Sequence, residues 1–177
     1  MLPAVIVFIA IAAVVIFWTV YTQRRLVRLD ENICNTMILI GVQLSNQFDA
    51  LMFLLELIKE YAQSGSETLI GSVRSGRCMI MARSTPEDVL EQEEVITEVL
   101  GRIAALSEQY PEIKAARNYI RAMDAIQALG NMRRTSRMIY NDNVTKLNHQ
   151  IQMFPTSVIA NISGLRQRDY LPERKGK

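Results

Sequence analysis

From Leu2 to Tyr21 the chain is an almost unbroken apolar run, LPAVIVFIAIAAVVIFWTVY, and no charged side chain occurs before Arg24. This is about the ~20 residues an α-helix needs to cross the ~30 Å hydrocarbon core of a bilayer. A helix satisfies its own backbone hydrogen bonds there, where no water is available. The pattern then changes to steps of three and four. Leu29, Ile33, Met37, Ile40, Leu44, Phe48, Leu51, Leu55, Ile58 and Ala62 form an apolar stripe, and Asn35, Gln43, Asn46, Asp49, Glu56 and Lys59 fall opposite. Such spacing predicts one long amphipathic helix. Nothing between Tyr21 and Leu29 breaks a helix, so the apolar run is expected to continue directly into it. Gln63-Ser64-Gly65-Ser66 is expected to stop it, with Gly65 in the left-handed C-terminal position.

Residues 66–84 are the hardest to read. Gly71, Gly76 and the serines weaken helix propensity, yet Leu69, Val73, Met79 and Met81 are too apolar for a solvated linker. One or two short helices packed over the main bundle are expected. Thr85-Pro86-Glu87-Asp88 is a strong helix start: threonine caps, proline fits the first helical position, and the acids meet the positive end of the helix dipole. Val95, Ile96, Val99, Leu100, Ile103 and Leu106 supply the stripe of this second helix, and Tyr110-Pro111 ends it or opens the next. A third long helix is predicted from Glu112 to about Met153, facing inward through Ile113, Tyr119, Met123, Ile126, Leu129, Tyr140, Val144, Leu147 and Ile151. Phe154-Pro155-Thr156 breaks it, and residues 157–163 read as a short helix closed by Gly164.

Three long amphipathic helices, short helical pieces and no strand pattern make the chain all-α. An apolar stripe cannot be buried alone, so an antiparallel up-down bundle is expected behind the N-terminal transmembrane helix. The organisation is then a transmembrane anchor at 1–23, a helical bundle at 24–165, and a basic, flexible tail at 166–177, frayed beyond Tyr170.

Charge sets the expected orientation. Trp18 and Tyr21 stand where an interfacial aromatic belt would be, and Arg24, Arg25 and Arg28 follow at once. Positive charge stays on the cytoplasmic side, so a short exterior N-terminus and an interior bulk are expected. A cleaved signal peptide fits poorly, because no basic residue precedes the run and it ends in large residues. The net charge of +2 resides wholly outside the apolar run, too small a field to argue for nucleic acid. The basic tail and the three arginines suit anionic headgroups, each basic residue contributing about 1 kcal/mol near such a surface.

Candidate chemistry is sparse. Cys34 and Cys78, in a reducing compartment, are expected as packed thiols rather than a disulfide. The one histidine, His149, has no metal-ligand spacing around it. Asp49, Glu60 and Asp142 do not follow the Glu plus Glu-x-x-His pattern of di-iron bundles, and no GxSxG elbow occurs. No enzyme, metal or cofactor is expected. The apolar stripe thins across Gln127, Gly130, Asn131, Arg133, Arg134, Thr135, Ser136 and Arg137. Arg133, Arg134 and Arg137 are therefore the candidate site, a recess whose guanidinium forks suit a carboxylate or phosphate. The plainer reading is a solvated face, or ion pairs with Asp49 and Glu56 on the first soluble helix.

Several stretches carry a resemblance: LVRLDENI (26–33), GVQLSNQFDALMFLLELIKEY (41–61), ALSEQYPEIKAARNYI (105–120), YNDNVTKLNHQIQMFPTSVIA (140–160) and GLRQRDYL (164–171). In order and spacing these are similar to the LemA family, most specifically at Tyr140-Asn141-Asp142 with Asn148 and Phe154-Pro155. The resemblance implies an antiparallel helical bundle on a single-pass anchor in a bacterial membrane, of the cell or of an organelle, and no assigned catalytic residue. The chain departs from the family pattern at Gly41, where an acidic residue is usual. It departs again at Ser45-Asn46-Gln47 and residues 49–55, which lack the usual basic residues and proline, and at Ala128-Leu129-Gly130-Asn131, in place of an acidic cluster.

The expected function is a membrane-anchored, non-enzymatic scaffold or adaptor that binds other proteins. The alternative is a ligand- or signal-sensing domain with an anion recess between helices. The stripe of residues 29–62 would serve a homo-oligomer as well as an intramolecular core.

Overall fold

In a computed structural model that describes residues 2–61 and 63–173, six helices follow one another: α1 (Leu2–Lys59), α2 (Gln63–Gly76), α3 (Pro86–Gln109), α4 (Pro111–Ala115), α5 (Arg117–Gln152) and α6 (Thr156–Ile162). No strand forms among the described residues. The expected continuity holds, since the apolar run and the first amphipathic stripe are a single helix, α1. That helix ends at Lys59, earlier than expected, and Gly65 belongs to α2. Ala62, the last position of the predicted stripe, lies outside the described residues.

The chain divides into two compact units. Of the described residues, those up to Ile33 group with Tyr140–Tyr170, and those of Cys34–Ile139 group with residues 171–173. In the first unit the apolar run faces outward nearly all round, with Phe8 and Phe17 among its exposed side chains. By length and composition it is able to cross a membrane. Thr19 donates its hydroxyl hydrogen to the Val15 carbonyl at 2.8 Å, which satisfies that hydroxyl within its own helix. Burial begins at Thr22 and Leu26 and continues through Ile33, Tyr140, Val144, Leu147, Ile159 and Ala160. After α6, Gly164 takes a positive φ of 69°, and Leu165 N–H returns to the Ala160 carbonyl at 3.0 Å, the expected glycine closure.

The stretch after Gly164 corrects the expectation of a flexible tail from residue 166. Asn148 grips the backbone of Arg168 twice, its amide donating to the Arg168 carbonyl and its carbonyl accepting from Arg168 N–H, both at 2.9 Å. The Arg168 guanidinium makes a forked pair with Asp30 at 2.9 and 3.1 Å. The Tyr140 hydroxyl donates to the Asp169 carbonyl at 3.1 Å. Leu171, beyond the predicted fraying point, is fully buried. Residues 174–177 lie outside the described part.

In the second unit the direction of each leg can be read from its contacts. Lys59 pairs with Glu67 at 3.4 Å, and Arg77 pairs with Asp49 at 2.6 Å and donates to the Ser45 hydroxyl at 2.7 Å. A Cβ on Gly41 would meet the Ile80 carbonyl at 2.8 Å. Residues 67–80 thus run back along α1. α3 then turns again, and its end and α4 bring Ile113 to a small hollow shared with Leu57 and Tyr61 at the end of α1. α5 returns antiparallel to α1: Gln43 donates to the Ser136 hydroxyl and Gln47 to the Ile126 carbonyl. The up-down bundle therefore has four legs. α2 agrees with the short helix expected within residues 66–84, and it is the return leg that lets α1 and α3 run parallel.

The predicted stripe positions Met37, Ile40, Leu44, Phe48, Leu51, Leu55 and Ile58 are all buried, joined by Leu54, Leu69, Val73, Val89, Ile96, Val99, Ile103 and Ile126. Each such side chain contributes about 1.5–3 kcal/mol when fully buried. The start of α3 is as expected: Thr85 and Asp88 form a reciprocal capping box, with Pro86 in the first turn. The third predicted helix is interrupted near Ala116, whose extended ψ of 125° separates α4 from α5. Both cysteines are free, but Cys78 is exposed rather than packed.

Two tests follow from this packing. Gly41→Ala drives a methyl group into the Ile80 backbone and is expected to lower stability by about 1–3 kcal/mol, read as an earlier thermal transition of the detergent-solubilised chain by circular dichroism. Asn148→Ala releases the Arg168 backbone, so trypsin is expected to cut after Arg166 and Arg168 well before the helices are attacked. Unchanged cleavage kinetics would show that the other contacts, Asp30 and the Tyr140 hydroxyl among them, hold the segment without Asn148.

Candidate functional site: a buried polar layer in the bundle

The thinning of the α5 stripe marks a polar layer inside the second unit. α3 contributes Gln92 and Glu93, α1 contributes Gln43 and Gln47, and α5 contributes Ser136 and Arg137, all buried. Arg133, half-buried, completes it. Helical spacing explains the assembly. Gln43 and Gln47 are one turn apart, as are Arg133 and Arg137, so each pair lies on one helix face.

Glu93 is the centre. Its Oε1 accepts from Arg133 Nε at 2.7 Å and also from the Arg137 guanidinium. The acid is only 4% exposed, and the two arginine side chains are 16% and 10% exposed. Arg133 also donates through Nη1 to the Gln47 side-chain oxygen. The Gln47 amide in turn donates to the Ile126 carbonyl at 3.1 Å, and the Gln43 amide donates to the Ser136 hydroxyl at 3.0 Å. Burial pushes the Arg133 pKa down from its ordinary value, an effect opposed by Glu93 and reinforced by Arg137 and Arg134. Arginine keeps its proton in folded proteins, so the cost is met by the carboxylate rather than by neutralisation.

Beside this layer lies an open recess of about 690 Å³, lined among others by Gln47, Glu93, Gln127, Asn131, Arg134 and Glu173. The three predicted arginines do border one recess. Two of them, however, spend their forks on Glu93, and only Arg134 is exposed. The expected partners Asp49 and Glu56 are not used: Asp49 pairs with Arg77, and Glu56 is exposed. Three buried polar atoms, Gln43 Oε1, Gln92 Nε2 and Arg137 Nε, have no hydrogen-bond partner among the described residues.

Sequence reasoning missed Glu93. The signal was present, because Glu93 stands four residues after Val89 and three before Ile96, both buried. A charge on an apolar stripe calls for a partner of opposite sign. Of the predicted interface residues, Trp18 is 38% and Tyr21 61% exposed, and Arg24, Arg25 and Arg28 are exposed. No cluster of three or more metal-ligating side chains occurs among the described residues.

The LemA family profile matches residues 37–177. The chain belongs to the LemA family. Two curated relatives from Paramagnetospirillum magneticum, magnetosome protein MamQ 1 and magnetosome protein MamQ 2, are each 26% identical to it over 112 residues. The aligned stretch is 63% of this chain but 38% of each relative, so the chain spans well under half the length of the magnetosome proteins it matches. The profile begins inside α1, after the apolar run. It encloses the polar layer and the Asn148–Arg168 clamp of this LemA-family chain.

Removing one member of a buried ion pair leaves an uncompensated charge and costs about 3–5 kcal/mol, whereas replacing the whole set with apolar residues is neutral or stabilising. Glu93→Gln is therefore expected to lower the thermal transition sharply. Glu93→Leu combined with Arg133→Met and Arg137→Met is expected to recover it. A triple variant as unstable as Glu93→Gln would mean that the layer stabilises the fold outright.

Proposed function

We propose that this protein is a membrane-anchored, non-enzymatic helical adaptor, single-pass, that binds other proteins at the cytoplasmic face of a bacterial membrane, of the cell or of an organelle. The observation that carries this reading is α1 itself. One uninterrupted helix joins a charge-free apolar run to the first leg of a packed bundle, so whatever the bundle holds is held at the membrane. Arg24, Arg25 and Arg28 at the end of the run support a cytoplasmic bundle by the positive-inside rule. The naming of the MamQ relatives as magnetosome proteins supports an organelle membrane as one place of work.

A protein partner is supported by surface chemistry. On α1, Ile38, Leu39 and Val42 are exposed, as are Met132, Met138 and Ile139 on α5. The spacing of Val42 from Leu39 and Ile38, three and four residues, suits helix-in-groove recognition, and methionines adapt to irregular partners. The anion-sensing alternative loses ground, because the Arg133 and Arg137 forks already hold a carboxylate of the chain itself.

The test is in-cell photo-crosslinking from positions 42 and 138 of the membrane-embedded chain, with mass spectrometry of the trapped species. A reproducible protein adduct that disappears with Val42→Glu or Met138→Glu is expected. Adducts with a second copy of the chain alone would replace the adaptor by a homo-oligomer, and no adduct at either position would remove the reading. Charge reversal at Arg133 or Arg137 is unsuitable here, since it would break the bundle from within.

A further inference from the structure

Outside the apolar run, the most exposed apolar side chains of the first unit gather around α6. Phe154 and Ile162 each leave 82% of their surface exposed, and Met153 and Val158 about half. Val158 and Ile162 are one turn apart and share a helix face. The other side of the same helix is buried through Thr156, Ile159 and Ala160. α6 is thus fixed in the unit by one face and offers an apolar ridge on the other.

The position of that ridge follows from the clamp. Arg168 is held both by Asn148 on α5 and by Asp30 on α1, which sets those two helices level at residues 148 and 30. α5 runs antiparallel to α1, so beyond Asn148 it advances toward the apolar run. The four residues to Gln152 cover about 6 Å at the helical rise, which brings the chain level with Leu26. The turn at 153–155 and α6 follow, level with Thr22. Leu26 and Thr22 are buried, and α6, whose own Thr156 is buried, is the element placed to cover them. Thr22 is the residue after Tyr21, where the apolar run gives way to Arg24, Arg25 and Arg28. The α6 ridge therefore stands at the level where the run would leave a bilayer. Exposed charge at this level is mostly basic: Arg24, Arg25, Arg28 and Arg166, against Glu31 and Asp169.

We propose that Phe154, Val158 and Ile162 form a second membrane contact, a short wedge that enters the boundary between headgroups and acyl chains beside the transmembrane helix, while the neighbouring arginines meet anionic headgroups. The inference rests on the membrane-anchor reading of α1. It follows the logic of interfacial helices, in which an apolar face is buried at the headgroup level and basic residues flank it. The contact fixes the rotation of the first unit about the membrane normal, which a single span leaves free.

The experiment uses the full chain with Cys34→Ser and Cys78→Ser, carrying one environment-sensitive fluorophore at Ile162→Cys, at Val14→Cys or at Asn161→Cys. The protein is reconstituted in vesicles of phosphatidylcholine and phosphatidylglycerol. Lipids with a nitroxide high or low on the acyl chain, and aqueous iodide, serve as quenchers. The label at 162 is expected to shift its emission to shorter wavelength and to be quenched by the shallow nitroxide, with iodide quenching severalfold weaker than at 161. The label at 14 is expected to respond to the deep nitroxide only. If 14 reports lipid while 162 is quenched by iodide as strongly as 161, the wedge is wrong and the anchor stands. If 162 is shielded from both lipid and iodide, a protein covers the ridge and the wedge is again wrong. If 14 fails to report lipid, the anchor reading falls and takes the wedge with it.

Discussion

One carboxylate governs how the bundle is put together. Glu93 sits on the inward face of α3 with two guanidinium groups of α5 closed on it, and the Gln47 side chain ties the same arginine to α1. Three legs of the bundle therefore meet at one buried polar centre. Apolar stripes alone tolerate sliding, because one leucine fills the space of another with modest loss. Charges do not, since a shift of one helical turn, about 5.4 Å, would leave Glu93 or an arginine buried without its partner. Buried polar atoms without hydrogen bonds cost about 1–3 kcal/mol each, and the layer contains three of them. This is an expensive way to hold helices together, and what it supplies is a fixed register.

Local rules were read correctly wherever the signal was itself local. The Thr85 cap with Pro86 and Asp88, the Gly164 closure and the long α1 stripe all depend on residues within a turn of one another, and all appear as expected. What the sequence concealed depends on contacts distant in the chain. The short helix expected within residues 66–84 forms as α2, its weak propensity offset by burial of Leu69 and Val73, but that it serves as a full leg of the bundle depends on Lys59, Asp49 and Ser45 far back in the chain. A basic terminal segment reads as flexible, yet Asn148 pairs with the Arg168 backbone through both its N–H and its carbonyl. Glu93 was passed over because an acid in a helix is normally taken for surface, and its position between Val89 and Ile96 carried the warning.

The arginine cluster shows how far residue type alone can lead. Three arginines at helical spacing were expected to offer their forks outward to an anion, or to pair with Asp49 and Glu56. Two of them are turned inward to an acid on α3, while Asp49 belongs to Arg77. Arg134, the exposed member of the three, borders the recess. What the Arg133 and Arg137 forks do in this fold is join α5 to α3 from within the bundle.

Gly41 carries a further meaning. Ile80 passes so close to it that its carbonyl oxygen lies 2.8 Å from where a β-carbon would be. A side chain at this position could not coexist with this path of the segment before α3. Glycine at 41 and the close passage of Ile80 are therefore a single constraint, because the backbone before α3 occupies the space a β-carbon on α1 would fill.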